Sequence, residues 1–139
     1  MASDTLLLQL VSPERLLVEE QVTEVQVPAL DGFIGVLPGA APLLSELKPG
    51  GVVTYHAAGQ VKVLAVYGGF VEVLPDRVRI LADNAKPGEE IDVTEALRQM
   101  EAANLALLKG GGEAADPAVA LTEAARAQAT YDAAMAVRK

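Results

Sequence analysis

From Thr5 to Ala82 the chain sets short apolar runs between turn residues, with a period close to two. Nine runs read as strands: Thr5–Val11, Leu16–Glu20, Glu24–Val27, Gly32–Leu37, Ala41–Leu47, Gly51–Ala57, Val61–Tyr67, Phe70–Leu74 and Arg77–Ala82. Within Glu24–Val27 the alternation predicts Val25 and Val27 inward, Glu24 and Gln26 outward. Ser12-Pro13-Glu14 supplies a turn, and Ala57-Ala58-Gly59-Gln60 and Pro75-Asp76 supply hairpin turns. Short strands at this spacing predict a sandwich or flattened barrel.

The pattern changes at Lys86-Pro87-Gly88. Before it valine and leucine dominate; after it alanine does, and no proline follows until Pro117. Asp92 is placed as a helix N-cap with Glu95 completing a capping box. Val93, Ala96, Leu97, Met100, Ala103, Leu107 and Leu108 then share one helical face, until Gly110-Gly111-Gly112 stops the helix. Asp116 and Pro117 start a second helix that can run to the end of the chain. Its apolar face is thin: Leu121, Ala124, Ala125, Tyr131 and Met135, diluted by alanine. The expected fold is α+β, an N-terminal antiparallel β-sandwich (1–86) followed by a C-terminal antiparallel α-helical hairpin (87–139). Two such helices are marginal alone, so their stability must come from each other and from the sandwich.

The densest stretch is Asp31–Gly50, DGFIGVLPGAAPLLSELKPG. Its glycines and prolines force sharp turns while Phe33, Ile34, Val36, Leu37, Leu43, Leu44 and Leu47 stay within reach of a core. The order Gly32, Gly35, Pro38, Gly39, Ala41, Pro42, Leu43, Leu44, then Lys48-Pro49-Gly50, resembles the N-terminal domain of the epsilon subunit of F-type ATP synthases. Gly68-Gly69-Phe70-Val71-Glu72-Val73, Leu81-Ala82-Asp83-Asn84-Ala85 and Leu10-Val11-Ser12-Pro13-Glu14 are similar to further motifs of that family, so the resemblance covers nearly the whole chain.

The resemblance implies a non-catalytic central-stalk subunit that couples rotation between a catalytic head and a membrane ring. The implied partners are the gamma subunit and the c-ring, and the alpha/beta head when the hairpin extends. The implied place is the cytoplasmic face of a bacterial plasma membrane, held peripherally. The family's ring-facing loops map to Asp31-Gly32-Phe33 and Gly39-Ala40-Ala41-Pro42, which makes Asp31, Phe33, Ala40 and Pro42 the partner-contact candidates. Phe33 and Ala40 stand where many bacterial members carry a polar residue and a histidine. Phe33 is therefore either a core side chain or an apolar anchor for a partner.

In the family the hairpin permits turnover when folded down and blocks hydrolysis when extended. Some members hold it down by binding ATP through a motif with two arginines. In this chain those positions are Glu95 and Ala102, which offer phosphates no planar fork, so no cofactor is expected. Arg98 is placed to pair with Glu95. The basic residues available to an extended second helix are Arg126, Arg138 and Lys139. Glu123 is placed to neutralise Arg126, and Arg138 and Lys139 are expected to fray in the last turn.

Composition narrows the rest. The chain has 139 residues, a net charge of −8 and no cysteine. That charge argues against nucleic acid and against direct docking on anionic lipid. Met1-Ala2-Ser3-Asp4 has no positive segment and the Leu6–Val11 run is too short for a span, so any membrane association is expected to come through a protein partner. The single histidine, His56, has no nucleophile or paired carboxylate at a recognisable spacing, and no metal motif is present. A rival reading is a free-standing sandwich that binds a small polar ligand, with the helices as a dimerisation arm; it requires a concave polar pocket, whereas a stalk subunit requires exposed apolar surface.

Overall fold

The structure is a computed structural model that describes residues 4–109 and 116–138. Its strands are β1 (Leu6–Val11), β2 (Leu16–Val22), β3 (Glu24–Ala29), β4 (Gly32–Val36), β5 (Leu43–Glu46), β6 (Gly51–Ala57), β7 (Gln60–Val66), β8 (Gly69–Leu74), β9 (Arg77–Ala82) and β10 (Ala85–Pro87). A 3-10 turn at Gly88–Glu90 leads to the helices α1 (Val93–Leu108) and α2 (Pro117–Ala136). The strands form two five-stranded sheets, ordered β2-β1-β9-β8-β5 and β10-β7-β6-β3-β4. All neighbours are antiparallel except β1 and β9, which run parallel with Leu8 beside Val78 and Leu10 beside Ile80.

The alternation decides which face is buried. Leu6, Leu8 and Leu10 of β1, Val71 and Val73 of β8, and Val78 and Ile80 of β9 meet Val25, Val27, Val53, Tyr55 and Val66 from the other sheet. A one-residue slip in any of these strands would turn its apolar set outward, so register and core specify each other. The β6–β7 turn places Ala58 at φ 51° and Gly59 at φ 77°, the pair of left-handed residues that suits a two-residue hairpin.

Three elements differ from the pattern-based expectation. Ala41–Leu47 shortens to β5, because Leu47 crosses to bridge Ala29 of the second sheet. Lys86-Pro87, where the pattern places the boundary between the two parts, forms β10 at the edge of the second sheet, pairing Lys86 with Ala65 and Pro87 with Leu64. An edge strand tolerates a residue without an N–H. The second helix ends at Ala136 rather than running to the terminus, with Val137 as its cap.

Both helices start where their caps place them. The Glu95 amide donates to Asp92 Oδ1 (3.1 Å), and the Ala118 amide to Asp116 Oδ1 (2.8 Å). The capping box is only half made, since the Glu95 carboxylate turns forward to accept from Arg98 and Gln99.

The helical faces are not those the large residues mark. On α2 the buried residues are Ala120, Ala124, Ala129, Ala133 and Ala134, while Leu121 and Met135 are exposed; on α1 Leu108 is 85% exposed. The reason is proximity. A Cβ at Gly50 would lie 2.5 Å from the Ala125 carbonyl oxygen, and one at Gly88 would lie 2.6 Å from that of Ala133. Only alanine fits beneath a helix seated that close. With Val63, Ala65 and Ile91, the buried alanines Ala96, Ala133 and Ala134 make a second, smaller core.

One titration follows from the main core. The Tyr55 hydroxyl donates to Glu20 Oε2 (3.0 Å), and Lys62 Nζ lies 3.3 Å from Glu20 Oε1. Burial first, then the Glu20 carboxylate, push the phenol well above its ordinary range. A raised folded-state pKa gives stability that is complete below the unfolded value, about 10, and is lost as pH climbs past it. Thermal melting should therefore fall steeply above about pH 10, and Tyr55→Phe should flatten that fall. An equal slope in the variant would assign the alkaline loss elsewhere.

Candidate functional site

The β3–β4 turn, tied to the end of β5 by Leu30 N donating to Glu46 O (2.8 Å), carries Asp31 at its exposed tip. Beyond it β4 presents Phe33 outward, opposite Pro28. Phe33 is 65% exposed, with Lys48 Nζ 5.7 Å from its ring centroid. Of the two positions open to Phe33, the structure shows the exposed one. The ring borders a cleft of about 330 Å³ whose far wall is α2, at Ala125, Gln128 and Asp132.

The second loop is fixed differently. Gly39 takes φ 86° and its amide donates to Pro75 O (2.8 Å). Ala40 is half-buried against the main core, and Pro42 is exposed. The two loops lie at opposite ends of β4, so the structure does not gather Asp31 and Phe33 with Ala40 and Pro42 into one small patch.

The sandwich exposes more apolar surface than those loops. Leu37 and Leu44 are exposed, Leu44 at 70%, whereas Leu43 shares the core-facing side of β5 with the buried Val73 and is only partly covered. On the outer face of the first sheet Phe70 stands beside Leu81 across the β8–β9 pair, each about half exposed. The signal for this surface is in the strands themselves: Phe70 alternates with the buried Val71 and Leu81 with Ile80, so an apolar residue occupies an outward position in each. Around that pair the outer face is polar, with Arg79 beside Glu72 and Gln9 bonded to Glu19, so Phe70 and Leu81 form a local apolar patch suited to a partner.

The arginines of the hairpin are already engaged. Arg126 Nε donates to the Pro49 carbonyl of the sandwich (3.4 Å) rather than pairing with Glu123. Arg138, expected to fray, instead donates from Nη1 to Gly88 O (3.3 Å) and Ala134 O (2.7 Å), and from Nη2 to Ile91 O (2.8 Å). The helix stops two residues short of it, which leaves the side chain free to fold back. Lys139 lies outside the described residues. Glu95 pairs with Arg98, whose guanidinium holds the carboxyl below its usual range, and Ala102 is exposed on α1.

An open cleft of about 700 Å³ runs between β2, β7 and the chain after β10, with Glu20, Lys62, Glu89 and Glu90 on its walls. Glu20 pairs with Lys62 and Glu90 with Arg15, so much of its charge is spent within the chain. Among the described residues no three His, Asp or Glu side chains converge as a metal site, and no helix is long and apolar enough to cross a membrane.

Exposed apolar patches on the sandwich, two protruding loops and a hairpin laid over one sheet define a protein that works through contacts with other proteins. The family model for the ATP synthase delta/epsilon chain β-sandwich domain matches residues 5–88. The ATP synthase epsilon chain of Solibacter usitatus is 51% identical over 131 residues, 91% of this chain and 92% of the relative. That of Rhizobium meliloti is 45% identical over 76% of this chain and 78% of its own length. Two solved assemblies contain chains of the same fold. One is the Euglena gracilis mitochondrial ATP synthase, OSCP/F1/c-ring (TM-score 0.76, 23% identity, all of this chain and 84% of that one). The other is the Tetrahymena thermophila mitochondrial ATP synthase central stalk and c-ring (TM-score 0.61, 15% identity, the full length of both). The chain belongs to the delta/epsilon family of ATP synthase chains, and its curated relatives are epsilon chains. It is a subunit of that enzyme rather than a catalyst itself.

Proposed function

We propose that the chain couples rotation between the catalytic head and the membrane ring, with the sandwich docked on the gamma subunit and the c-ring and the hairpin able to extend into the alpha/beta head and inhibit hydrolysis. It sits peripherally on the cytoplasmic face of a bacterial plasma membrane. The observation that carries this reading is the outward apolar surface of the sandwich, Leu44, Phe70 and Leu81 above all. A large exposed side chain contributes little to the fold and much to an interface. Phe70→Asp should therefore leave the melting of the isolated chain nearly unchanged and weaken its binding to a gamma-containing stalk complex at least about tenfold. Unchanged binding would remove the first-sheet face from the interface.

The hairpin regulates without nucleotide in this reading. Glu95 is committed to Arg98, and the position of the second motif arginine is the methyl group of Ala102. Calorimetric titration of the isolated chain with ATP should show no binding at millimolar concentration; a sub-millimolar affinity would refute this.

A further inference from the structure

We propose that the docked hairpin is held by a lock made by the chain itself: the Arg138 guanidinium clamps the carbonyls of Gly88, Ile91 and Ala134, so that releasing the hairpin and unmasking that cation are one event. The inference rests on the reading that the hairpin moves and names what holds it down.

The docked face of α2 is mostly alanine, with Tyr131 and Val137 packed only in part against the small core, and supplies little apolar area. Polar contacts and close backbone fit must therefore hold the helix in place. Four are visible along its length. Ala125 seats over Gly50, Arg126 donates to Pro49 O, the Tyr67 hydroxyl bonds the Thr130 hydroxyl, and Ala133 seats over Gly88. Arg138 closes the far end.

The geometry at that end is specific to arginine. Ala134 O belongs to the last turn of α2, where carbonyls lack helical partners and the helix dipole favours a cation. Gly88 O and Ile91 O belong to the segment that joins the sandwich to α1. One planar group with several fixed N–H donors spans all three at 2.7 to 3.3 Å. A lysine, with a compact ammonium on a flexible stem, lacks that fixed fork. The clamp also depends on the notch beneath it. A Cβ at Gly88 would stand 2.6 Å from Ala133 O and 3.0 Å from Val137 Cγ1, pushing the helix end away.

The cation is thus masked while the hairpin is down. Once α2 leaves the sandwich, Gly88 O and Ile91 O stay behind and the guanidinium faces whatever the extended helix meets. A carboxylate met there would replace the two carbonyls left behind, being the stronger acceptor for a guanidinium, while the Ala134 carbonyl travels with the helix.

The cysteine-free chain allows a direct test. Spin labels at Gln60→Cys on β7 and Glu123→Cys on α2, both exposed and outside any side-chain bond, report the distance from sandwich to helix. The parent should give one dominant short distance. Arg138→Ala and Gly88→Ala should each raise the fraction at longer distance about tenfold, and Arg138→Lys by less, since hydrogen bonds to a charged group are among the stronger ones. In the assembled head complex, Arg138→Lys and Gly88→Ala should lower ATP hydrolysis, because both favour the extended form and keep a cation at 138. Unchanged distances in all three variants would overturn the lock, and so would Arg138→Lys releasing the helix as fully as Arg138→Ala. Shifted distances with unchanged hydrolysis would leave the lock standing and refute the inhibitory role. Gly88→Ala alone failing to fold would leave the arginine variants to decide.

Discussion

Gly69→Ala should be the most damaging single methyl group that can be added to the sandwich. Gly69 sits at φ 124°, and a Cβ there would run into the Leu81 carbonyl and come within 2.9 Å of Ala82 Cα. Two costs combine. The backbone conformation costs an L-residue about 1–3 kcal/mol, and relieving the contact requires β8 to move away from β9 along a pair that carries Val71, Val73, Val78 and Ile80 of the core. A loss of about 3–5 kcal/mol is expected, a large share of the roughly 5–15 kcal/mol that holds a domain of this kind together. The melting temperature should fall by about 10 °C or more. Gly59→Ala is the control: its φ is 77°, but nothing lies within 4 Å of the added methyl. That variant should lose only about 1–2 kcal/mol. Equal losses at the two sites would mean that φ strain alone, and not the approach of β9, sets the cost.

Deleting everything after Gly88 should leave a folded sandwich and a more active hydrolase when the remainder is assembled into the head complex. The main core is drawn from Leu6 to Ala82 and takes nothing from the helices. Cutting after Gly88 keeps β10, which covers the edge of β7; a cut at Ala85 would bare that edge. What the deletion exposes is the outer face of the second sheet at Val52, Val63, Ala65 and Tyr67, so the shortened chain should melt cooperatively but self-associate more readily. Hydrolysis should rise because no helix remains to enter the head. An unfolded product would show that the boundary we propose near residue 87 does not separate independent units. Hydrolysis equal to that of the full-length complex would show that the hairpin does not inhibit.

Much of this architecture is legible in the sequence, and the exceptions have physical causes. Val25 and Val27 point inward as alternation requires, the Ala58-Gly59 and Pro75-Asp76 turns sit where their residues allow, and Asp92 and Asp116 cap the helices they precede. These signals are local, carried by neighbours in the chain. The docking face of α2 is not local. Alanine reads as filler until Gly50 and Gly88, distant in sequence, are found beneath Ala125 and Ala133.

The same holds for Arg138. Its partners are backbone carbonyls, which every residue has, at separations of up to 50 residues, so no side-chain pattern announces them. Leu44, expected within reach of the core, is exposed for a different reason. A run such as Leu43-Leu44 shows apolar residues at adjacent positions, and period two cannot say whether the outward one meets water or a partner. Phe33 was open between core and surface on the same ground, and its exposure follows from the neighbouring Ile34 taking the core-facing side of β4.

The central claim is that this chain works as the stalk subunit of an ATP synthase, and affinity purification of a tagged copy from the membranes of its own cells tests it most directly. The account predicts recovery of the alpha, beta and gamma subunits together with the c-ring, in amounts that drop when Phe70→Asp is introduced. Recovery of the tagged chain alone from membranes that contain an intact synthase would contradict it.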